Sequence, residues 1–488
     1  MTARAIMLMG TGSDVGKSLI SAGLCRAFVN QGLKVAPFKP QNMSNNAAVT
    51  IDGGEIGRAQ ALQAQAARIA PSVHMNPVLL KPETDRGSQV IVQGRRRETL
   101  SARDYFRNRT AYLPAILESF RALTETFDLI IVEGAGSPAE ANLRDGDLAN
   151  MGFAAAANVP ALLIGDIHRG GVIASIVGTF AVLDPADRNR LKGFLINNFH
   201  GDPDLFSEGV SRIETQINRP SLGVIPHFDA ASRLPAEDAL ALERATRPQG
   251  DKFRIMVPRL PRIANFDDLD PLRLEPGVSV EIVPSGQPIA GADLIIIPGS
   301  KATVADLAAL RSDGWDIDIL AHARRGGAIL GLCGGYQILG HILRDPLGLE
   351  GPAGEVPGLG LLDVETELTP DKTLTRVIAK HATTGEDITA YEIHLGRTSG
   401  PDCVRPFAFI GGAPDGAVSA NGRVTGTYLH GCFTSDGFRA AFLKQLGAPS
   451  SDLAFVSLID ETLDDLARHL EKHVDLKRLL AMAEPVTS

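Results

Sequence analysis

The sequence is poor in cysteine and in aromatic residues. Its four cysteines (Cys25, Cys333, Cys403 and Cys432) have no paired spacing, which excludes a disulfide framework and a Cys-x-x-Cys metal site. Aromatic residues make up 5% of the chain, too few to predict a surface that stacks single-stranded nucleic acid. No apolar run reaches membrane-spanning length, and the N-terminal residues lack the pattern of a signal peptide. We therefore expect a cytoplasmic protein without membrane insertion.

Positive charge is also in deficit. The chain has 48 Lys and Arg against 57 Asp and Glu, a net charge of -9, which argues against a general nucleic-acid surface. Small molecules are the expected partners, and a homo-oligomer is left open. The 488 residues, 44% of them hydrophobic, are too many for one ordinary core and predict two domains.

Short apolar runs alternate with helical segments. The runs AIMLMG, KVAPF, LIIVEGAG, PALLIGD and GFLINNF predict buried parallel strands of a doubly wound α/β sheet, with ligands at the carboxyl ends of the strands. The polar run ERATRPQGDK, around Arg244–Lys252, predicts a linker between a P-loop domain at 1–248 and a second α/β domain at 252–445. Residues 446–488 are expected to form a helical tail.

A glycine-rich turn, MGTGSDVGKS, separates the first strand from a helix. This context is typical of a phosphate loop, in which backbone N–H groups at the helix start hold phosphates. We expect Lys17 to reach the outer phosphates of ATP and Ser18 to hold Mg²⁺. The predicted nucleotide-binding residues are Thr11, Gly12, Asp14, Gly16, Lys17, Ser18 and Asn197, and the predicted metal ligands are Ser18, Glu133 and Asp52. Glu133 ends a strand and is alternatively a capping carboxylate, and Asp52 is alternatively a solvated loop charge.

A second turn, GLCGGYQ, places Cys333 between a strand and a helix. Small neighbours permit a strained elbow, and the helix N-terminus favours the thiolate. His430, in GTYLHGCF, is the expected general base. Backbone N–H groups at Gly334 and near Gly299 are expected to form an oxyanion hole. The alternative for Cys333 is a small buried core residue.

These two turns resemble known families. The first is similar to the variant phosphate loop of dethiobiotin synthetase, and GLCGGYQ with YLHG resembles the class I, triad-type glutamine amidotransferases, which implies a flavodoxin-like domain. Those enzymes commonly carry a glutamate two residues after the histidine, where this chain has Cys432. The third member of the triad therefore stays open, with Glu392 and His394 as groups that orient the site or bind glutamine.

Further runs, among them KPQNMSNNA, MNPVLLKPETDRGSQVIVQGR, VEGAGSPAEANL, DIHRGG and RLPRIANFDDLDPL, resemble the cobyric acid synthase family over nearly the whole chain. The resemblance implies ATP- and glutamine-dependent amidation of the b, d, e and g carboxylates of adenosylcobyrinic acid a,c-diamide through acyl phosphates. Basic residues expected to face this corrinoid polycarboxylate are Lys39, Lys81, Arg86 and Arg169. The chain departs from the family at His168 in DIHRGG and in NNFHG.

Two alternatives remain at this stage. Cobyrinate a,c-diamide synthase, or another carboxylate-amidating ligase, has the same architecture and a different acceptor. A non-catalytic P-loop scaffold is disfavoured by the intact Cys333 elbow and His430.

Overall fold

Two blocks of alternating strands and helices follow one another along the chain. The computed structural model describes residues 2–82, 87–236, 252–449 and 451–486. The strands of the first block are β1 (Arg4–Gly10), β2 (Val35–Phe38), β3 (Gln41–Met43), β4 (Ala47–Val49), β5 (Glu55–Gly57), β6 (Val78–Pro82), β7 (Gly87–Val92), β8 (Arg95–Ser101), β9 (Leu129–Glu133), β10 (Ala161–Asp166), β11 (Leu191–Phe199) and β12 (Ser221–Pro226). Its helices are α1 (Lys17–Asn30), α2 (Arg58–Ala66), α3 (Ala102–Asn108), α4 (Leu113–Thr124), α5 (Met151–Ala156), α6 (Val172–Val182), α7 (Pro185–Arg190) and α8 (Ser207–Ile217).

The main sheet of the first block has the order β12-β11-β10-β1-β9-β2, and these strands are parallel. Alternate residues of β1 enter two different cores: Met7 and Met9 pack on one face, and Ile6 and Leu8 pack on the other. Burial on both faces explains why its strands are apolar runs without alternation. The doubly wound α/β prediction is confirmed, and the five predicted strands are β1, β2, β9, β10 and β11.

A smaller sheet, β3-β6-β7-β8, and the β4–β5 hairpin lie beside the main sheet. Ala47, Leu79 and Ile91 of these strands form an apolar cluster with Tyr391 and Ile393 of the second block. The smaller sheet is therefore part of the contact between the two blocks.

The second block is also α/β. Its strands are β13 (Phe253–Pro258), β14 (Val278–Val283), β15 (Leu294–Ile297), β16 (Ala328–Leu332), β17 (Ile342–Asp345), β18 (Gly354–Pro357), β19 (Glu365–His381), β20 (Asp387–Ser399), β21 (Ala408–Ile410), β22 (Ala413–Asp415), β23 (Ala417–Val418), β24 (Val424–Thr427) and β25 (Leu429–His430). Its helices are α9 (Asp270–Arg273), α10 (Thr303–Ser312), α11 (Trp315–Arg324), α12 (Gly334–Leu339) and α13 (Asp436–Gln445). One sheet has the order β14-β13-β15-β16-β24-β23, parallel up to β24, and a second contains the long β19–β20 hairpin and β25.

The C-terminal residues return to the first block. They form α14 (Phe455–His473), α15 (Leu476–Met482) and β26 (Glu484–Pro485), and β26 pairs antiparallel with β1. Helix α14 packs against α1, where a Cβ at Gly23 would lie 2.9 Å from Leu466 Cγ. The predicted linker lies outside the described residues except for Lys252. In the described part of the chain, no helix has the length and apolar character needed to cross a membrane.

Arg26 of α1 connects this C-terminal tail to the first block. Its side chain is fully buried, forms ion pairs with Asp460 and Asp464 of α14, and donates to the carbonyl oxygens of Gln65 and Ala66. The guanidinium therefore joins α1, α2 and α14.

We expect Arg26→Met to lower the free energy of unfolding by about 2–4 kcal/mol, because two carboxylates and two carbonyls lose a buried donor. Arg68→Met is the control, since Arg68 is half-exposed and lies 3.5 Å from Asp464; its loss should cost at most about 0.5 kcal/mol. Denaturant unfolding of both variants measures the difference. Equal losses would show that Arg26 does not anchor the tail.

Candidate active site

The first site is built on the turn between β1 and α1. Lys17, the first residue of α1, is buried and donates from Nζ to the carbonyl oxygens of Gly12 (2.9 Å) and Gly136 (3.1 Å). Gly16 has a φ of 94°, and a Cβ there would lie 2.2 Å from Asn197 Nδ2. Asn197 in turn donates to Val15 O at 2.9 Å. The Asn197 side chain therefore packs against the phosphate loop at Val15 and Gly16.

Three polar side chains of this site contact the carboxylate of Glu133. Its Oε1 accepts from Ser18 Oγ at 2.7 Å and pairs with Lys39 Nζ at 2.9 Å, and its Oε2 accepts from Gln63 Nε2 at 2.5 Å. The carboxylate is 1% exposed and stands at the carboxyl end of β9. Two metal candidates, Ser18 and Glu133, are thus in direct contact at the phosphate loop.

A cavity of about 930 Å³ opens beside the loop. Of the predicted nucleotide-binding residues, Asp14, Gly16, Lys17 and Ser18 are on its wall, whereas Thr11 and Gly12 belong to the turn that leads into it. Aromatic and basic side chains of other segments complete the wall. They include Tyr105, Phe106, Arg109, Arg144 and Arg273, none of which the sequence analysis singled out.

The residues expected to face a polycarboxylate are not brought together. Lys39 lines the cavity but is paired with Glu133, and Arg169 is exposed, 3.9 Å from Asp14, and does not line it. Lys81 is buried in a different cavity, described below, where it pairs with Glu55 at 2.9 Å. Arg86 lies outside the described residues.

Asp52 is not at the phosphate loop either. It lies in the turn between β4 and β5, where Oδ2 accepts from Ser72 Oγ (3.0 Å) and Val73 N (3.3 Å). The structure therefore does not support Asp52 as a ligand of the same metal as Ser18 and Glu133, because its carboxylate is used to cap a turn.

Cys333 occupies the elbow between β16 and α12. Its φ of 50° and ψ of -106° are strained for a residue with a side chain, and such strain is typical of functional sites. The thiol lies at the N-terminus of α12 and contacts Ile393 O at 3.7 Å. Gly335 makes the tight turn possible, since a Cβ there would lie 2.0 Å from Ile297 O.

His430 shares a cavity of about 60 Å³ with Cys333 and Gly299. A Cβ at Gly299 would lie 3.0 Å from His430 Cε1, and one at Gly334 would lie 2.9 Å from Ser300 N. Of the two predicted oxyanion residues, Gly299 therefore lies directly against the His430 imidazole, and Gly334, which follows Cys333, lies directly against the backbone of Ser300.

An aspartate holds His430. Asp268 Oδ2 is 2.6 Å from His430 Nδ1, and Asp268 Oδ1 accepts from Gly431 N at 2.5 Å. Burial alone lowers the pKa of His430, but the Asp268 carboxylate and the Cys333 thiol outweigh burial and raise the pKa to about 10. Tyr391 stacks on the imidazole at 5.4 Å. The His430 imidazole therefore lies between the Cys333 thiol and the Asp268 carboxylate.

Glu392 and His394 form a neighbouring pair with their side chains 3.5 Å apart. His394 lines the cavity and stacks on Tyr428 at 3.8 Å, but Asp268 is the carboxylate on His430. Cys432, at the position where class I enzymes commonly carry glutamate, is buried, and burial raises the pKa of its thiol well above the usual range.

Both halves of the chain match known domain families. Residues 6–241 match the CobQ/CobB/MinD/ParA nucleotide-binding domain, and residues 254–438 match the CobB/CobQ-like glutamine amidotransferase domain. A cobyric acid synthase of Cereibacter sphaeroides is 61% identical over 480 residues, which are 98% of this chain and 99% of the relative. Cobyric acid synthases of Bradyrhizobium diazoefficiens and Paracoccus denitrificans are each 59% identical, over 99% and 98% of this chain and 100% and 99% of their own.

The chain belongs to the cobyric acid synthase family. It is an ATP-dependent carbon–nitrogen ligase that takes its amide nitrogen from glutamine. We call the first block the synthetase domain and the second block the glutaminase domain.

The two segments in which the sequence analysis expects a departure from the family pattern, DIHRGG and NNFHG, place histidines next to each other. The rings of His168 and His200 have centroids 5.0 Å apart, and His227, on the wall of the large cavity, stacks on His200 at 4.8 Å. His168, His200 and His227 therefore form one histidine cluster, and His227 connects it to the wall of the synthetase cavity.

A single segment, Asn265–Arg273, reaches both sites of the chain. Asn265 lines the cavity of Cys333, and Asp268 holds His430. Asp270 and Arg273 line the large cavity beside the phosphate loop. The run RLPRIANFDDLDPL, which carries part of the family resemblance, contains Asn265, Asp268 and Asp270, so its acidic cluster is the available signal for Asp268.

We expect Asp268→Asn to lower the pKa of His430 from its value of about 10, because the carboxylate that raises it most is lost while burial still lowers it and only the smaller effect of Cys333 remains. In the wild type, the ion pair stabilises the fold fully below pH 6.5, and its contribution is lost as the pH rises through 10. NMR titration of the imidazole measures the pKa, and thermal unfolding should show the gap between wild type and variant closing over that range.

Asp402→Asn is the control, because Asp402 is a buried aspartate of the same domain that pairs with Arg405 and not with His430. It should leave the His430 titration unchanged. An unchanged titration in Asp268→Asn would show that Asp268 does not set the charge of the imidazole.

Proposed function

We propose that the protein is a cytoplasmic cobyric acid synthase of cobalamin biosynthesis, which amidates the b, d, e and g carboxylates of adenosylcobyrinic acid a,c-diamide. The names of its relatives support the acceptor, since they are cobyric acid synthases at about 60% identity over nearly the full chain. The observation that carries the mechanism is the Asn265–Arg273 segment, which contacts both a phosphate-loop cavity and a Cys–His pair.

The synthetase cavity activates the acceptor. A carboxylate oxygen is a poor leaving group, and transfer of the γ-phosphoryl group of ATP turns it into an acyl phosphate that an amine can attack. Lys17 and the N–H groups at the start of α1 bind the transferred phosphate. The basic side chains of the wall, Arg109, Arg144 and Arg273, are better placed for the polycarboxylate than Lys81 or Arg169.

Mg²⁺ fits this site at Ser18 and Glu133. The described residues contain no cluster of three or more His, Cys, Asp or Glu side chains suited to a metal. Mg²⁺ does not need one, because it is commonly held by one or two protein oxygens together with phosphates and water. The Ser18 hydroxyl and the Glu133 carboxylate, 2.7 Å apart, are two such oxygens. A bound Mg²⁺ would offset phosphate charge during transfer.

The glutaminase site releases ammonia. His430 is protonated beside Asp268 and pairs with the Cys333 thiolate, and the thiolate attacks the amide carbon of glutamine. N–H groups at Gly334 and near Gly299 stabilise the oxyanion. His430 then protonates the departing nitrogen, and water hydrolyses the thioester to glutamate. The ammonia attacks the acyl phosphate and phosphate leaves.

We expect Cys333→Ala to abolish glutamine-dependent amidation while synthesis with added ammonium salt continues, because only the nucleophile that opens glutamine is lost. Mass spectrometry of the corrinoid product after incubation with ATP and either nitrogen source measures both activities. Cys403→Ala, at a half-buried thiol outside the cavity, is the control and should keep both. Substantial glutamine turnover by Cys333→Ala would remove Cys333 from the mechanism.

We expect Lys17→Ala to abolish amidation with glutamine and with ammonia alike, since activation of the acceptor precedes use of either nitrogen source. Basal glutamine hydrolysis should survive, because Cys333 is in the other domain. Lys34→Ala, at an exposed lysine that follows α1, should leave both activities intact. Rescue of Lys17→Ala by ammonia would contradict the assignment of the phosphate loop as the activating site.

A further inference from the structure

The cavity that contains Cys333 is built by both domains. Cys333, His430 and Lys372 come from the glutaminase domain, whereas Lys81 of β6 and Arg96 of β8 come from the synthetase domain. The smaller synthetase sheet therefore forms part of the wall of the glutaminase site, and a glutamine molecule bound at Cys333 would lie against it.

Glu55 joins the two lysines of this wall. Its Oε2 is 2.9 Å from Lys81 Nζ, and its Oε1 pairs with Lys372 Nζ from the opposite domain. Glu55 is 1% exposed, and the side chains of Lys81 and Lys372 are 4% and 19% exposed. Three charged groups are thus buried together at the domain boundary.

The charges of this trio do not balance. Two ammonium groups share one carboxylate, so one positive charge is left over among the described residues, and a buried excess charge is costly unless it meets a counter-ion. Burial, only partly offset by Glu55, lowers the pKa of Lys372 to about 8, and the neighbouring Lys81 adds to this. A bound anion beside Lys81 and Lys372 would balance the excess positive charge of the trio.

Glutamine supplies such an anion. With its amide carbon at Cys333 Sγ, the rest of the amino acid extends along the cavity, and its far end carries an α-carboxylate and an α-ammonium. The cavity wall also contains the acid Glu350. A bound zwitterion needs a cationic group near its carboxylate and an acidic group near its ammonium, and this wall contains both.

We propose that Lys81 and Lys372, held together by Glu55, bind the α-carboxylate of glutamine, so that the synthetase domain completes the glutaminase site. This inference rests on Cys333 being the nucleophile. It reassigns Lys81 from the corrinoid to glutamine. It also means that glutamine is bound fully only where the two domains are docked.

The test compares two substrates that differ only in the α-carboxylate: L-glutamine and 4-aminobutanamide. Hydrolysis of each is followed with the full-length enzyme, as kcat/KM from ammonia release. In Lys81→Met, Glu55 keeps Lys372 as a single partner, so the buried charges balance and the fold should persist. We expect the preference for glutamine to fall on the order of 10- to 100-fold, the size of one lost hydrogen bond to a charged group. Hydrolysis of 4-aminobutanamide should not change.

Lys372→Met is the second variant, and it leaves the Lys81–Glu55 pair intact; it should show the same loss of preference. Lys380→Met is the matched control, because Lys380 is an exposed lysine of the same β19–β20 hairpin, 3.0 Å from Asp387. It should keep the wild-type preference. Amidation with added ammonium salt should stay at the wild-type level in all three.

A wild-type enzyme that does not discriminate between the two amides would overturn the inference. So would variants in which both amides lose equally, or in which glutamine loses nothing, since either result reduces Lys81 to a structural role. Failure of the proposed function looks different: Cys333→Ala would then still hydrolyse glutamine, whatever the lysine variants show.

Discussion

The burial of three carboxylates within four residues is the constraint on which the arrangement of the two domains depends. Asp267, Asp268 and Asp270 are each less than 10% exposed. Buried carboxylates require partners. Arg58 of the synthetase domain supplies one for Asp267 at 2.8 Å, and His430 of the glutaminase domain supplies one for Asp268. Asp267 and Asp268 are therefore both paired with a basic side chain only when the two domains are in contact.

The same constraint links the two chemical steps. Helix α2 begins at Arg58, which pairs with Asp267, and its Gln63 donates to Glu133 at the phosphate loop. One short helix thus contacts both the segment that contains Asp268 and the Glu133 carboxylate beside the phosphate loop. At 1.5 Å per residue, the two contacts are separated by only about 8 Å along the helix axis.

The same acidic segment also affects the large cavity. Burial raises the pKa of Asp270, on the wall of that cavity, to about 7, and the neighbouring Asp267 carboxylate raises it further.

Local features were predictable and distant pairings were not. The strands of the main sheet and the Cys333 elbow follow from apolar runs and small residues that are contiguous in sequence. Asp268 meets His430 across 162 residues, and the family pattern pointed instead to the position of Cys432. A basic residue in a matching run predicts a binding role but not which cavity its side chain enters, and Lys81 lines the cavity of Cys333 and not the large cavity beside the phosphate loop.

The helical character of the tail was predictable from its apolar spacing, because such spacing shows that one face is buried. It does not show what covers that face. The domain boundaries at 248 and 445 remain predictions, as do the roles of the individual site residues.

The return of the chain to its first sheet has a consequence for biosynthesis. Ile459, Leu463, Leu466 and Leu470 of α14 share one core with Ile20, Leu24 and Phe28 of α1. The phosphate-loop helix therefore acquires its full packing only after the glutaminase domain and the tail have left the ribosome. Until then an apolar face of α1 is uncovered, and the nascent chain carries a synthetase domain whose last layer is still to be synthesised. Full packing of the phosphate-loop helix is thereby tied to the synthesis of α14, more than 400 residues after the loop itself.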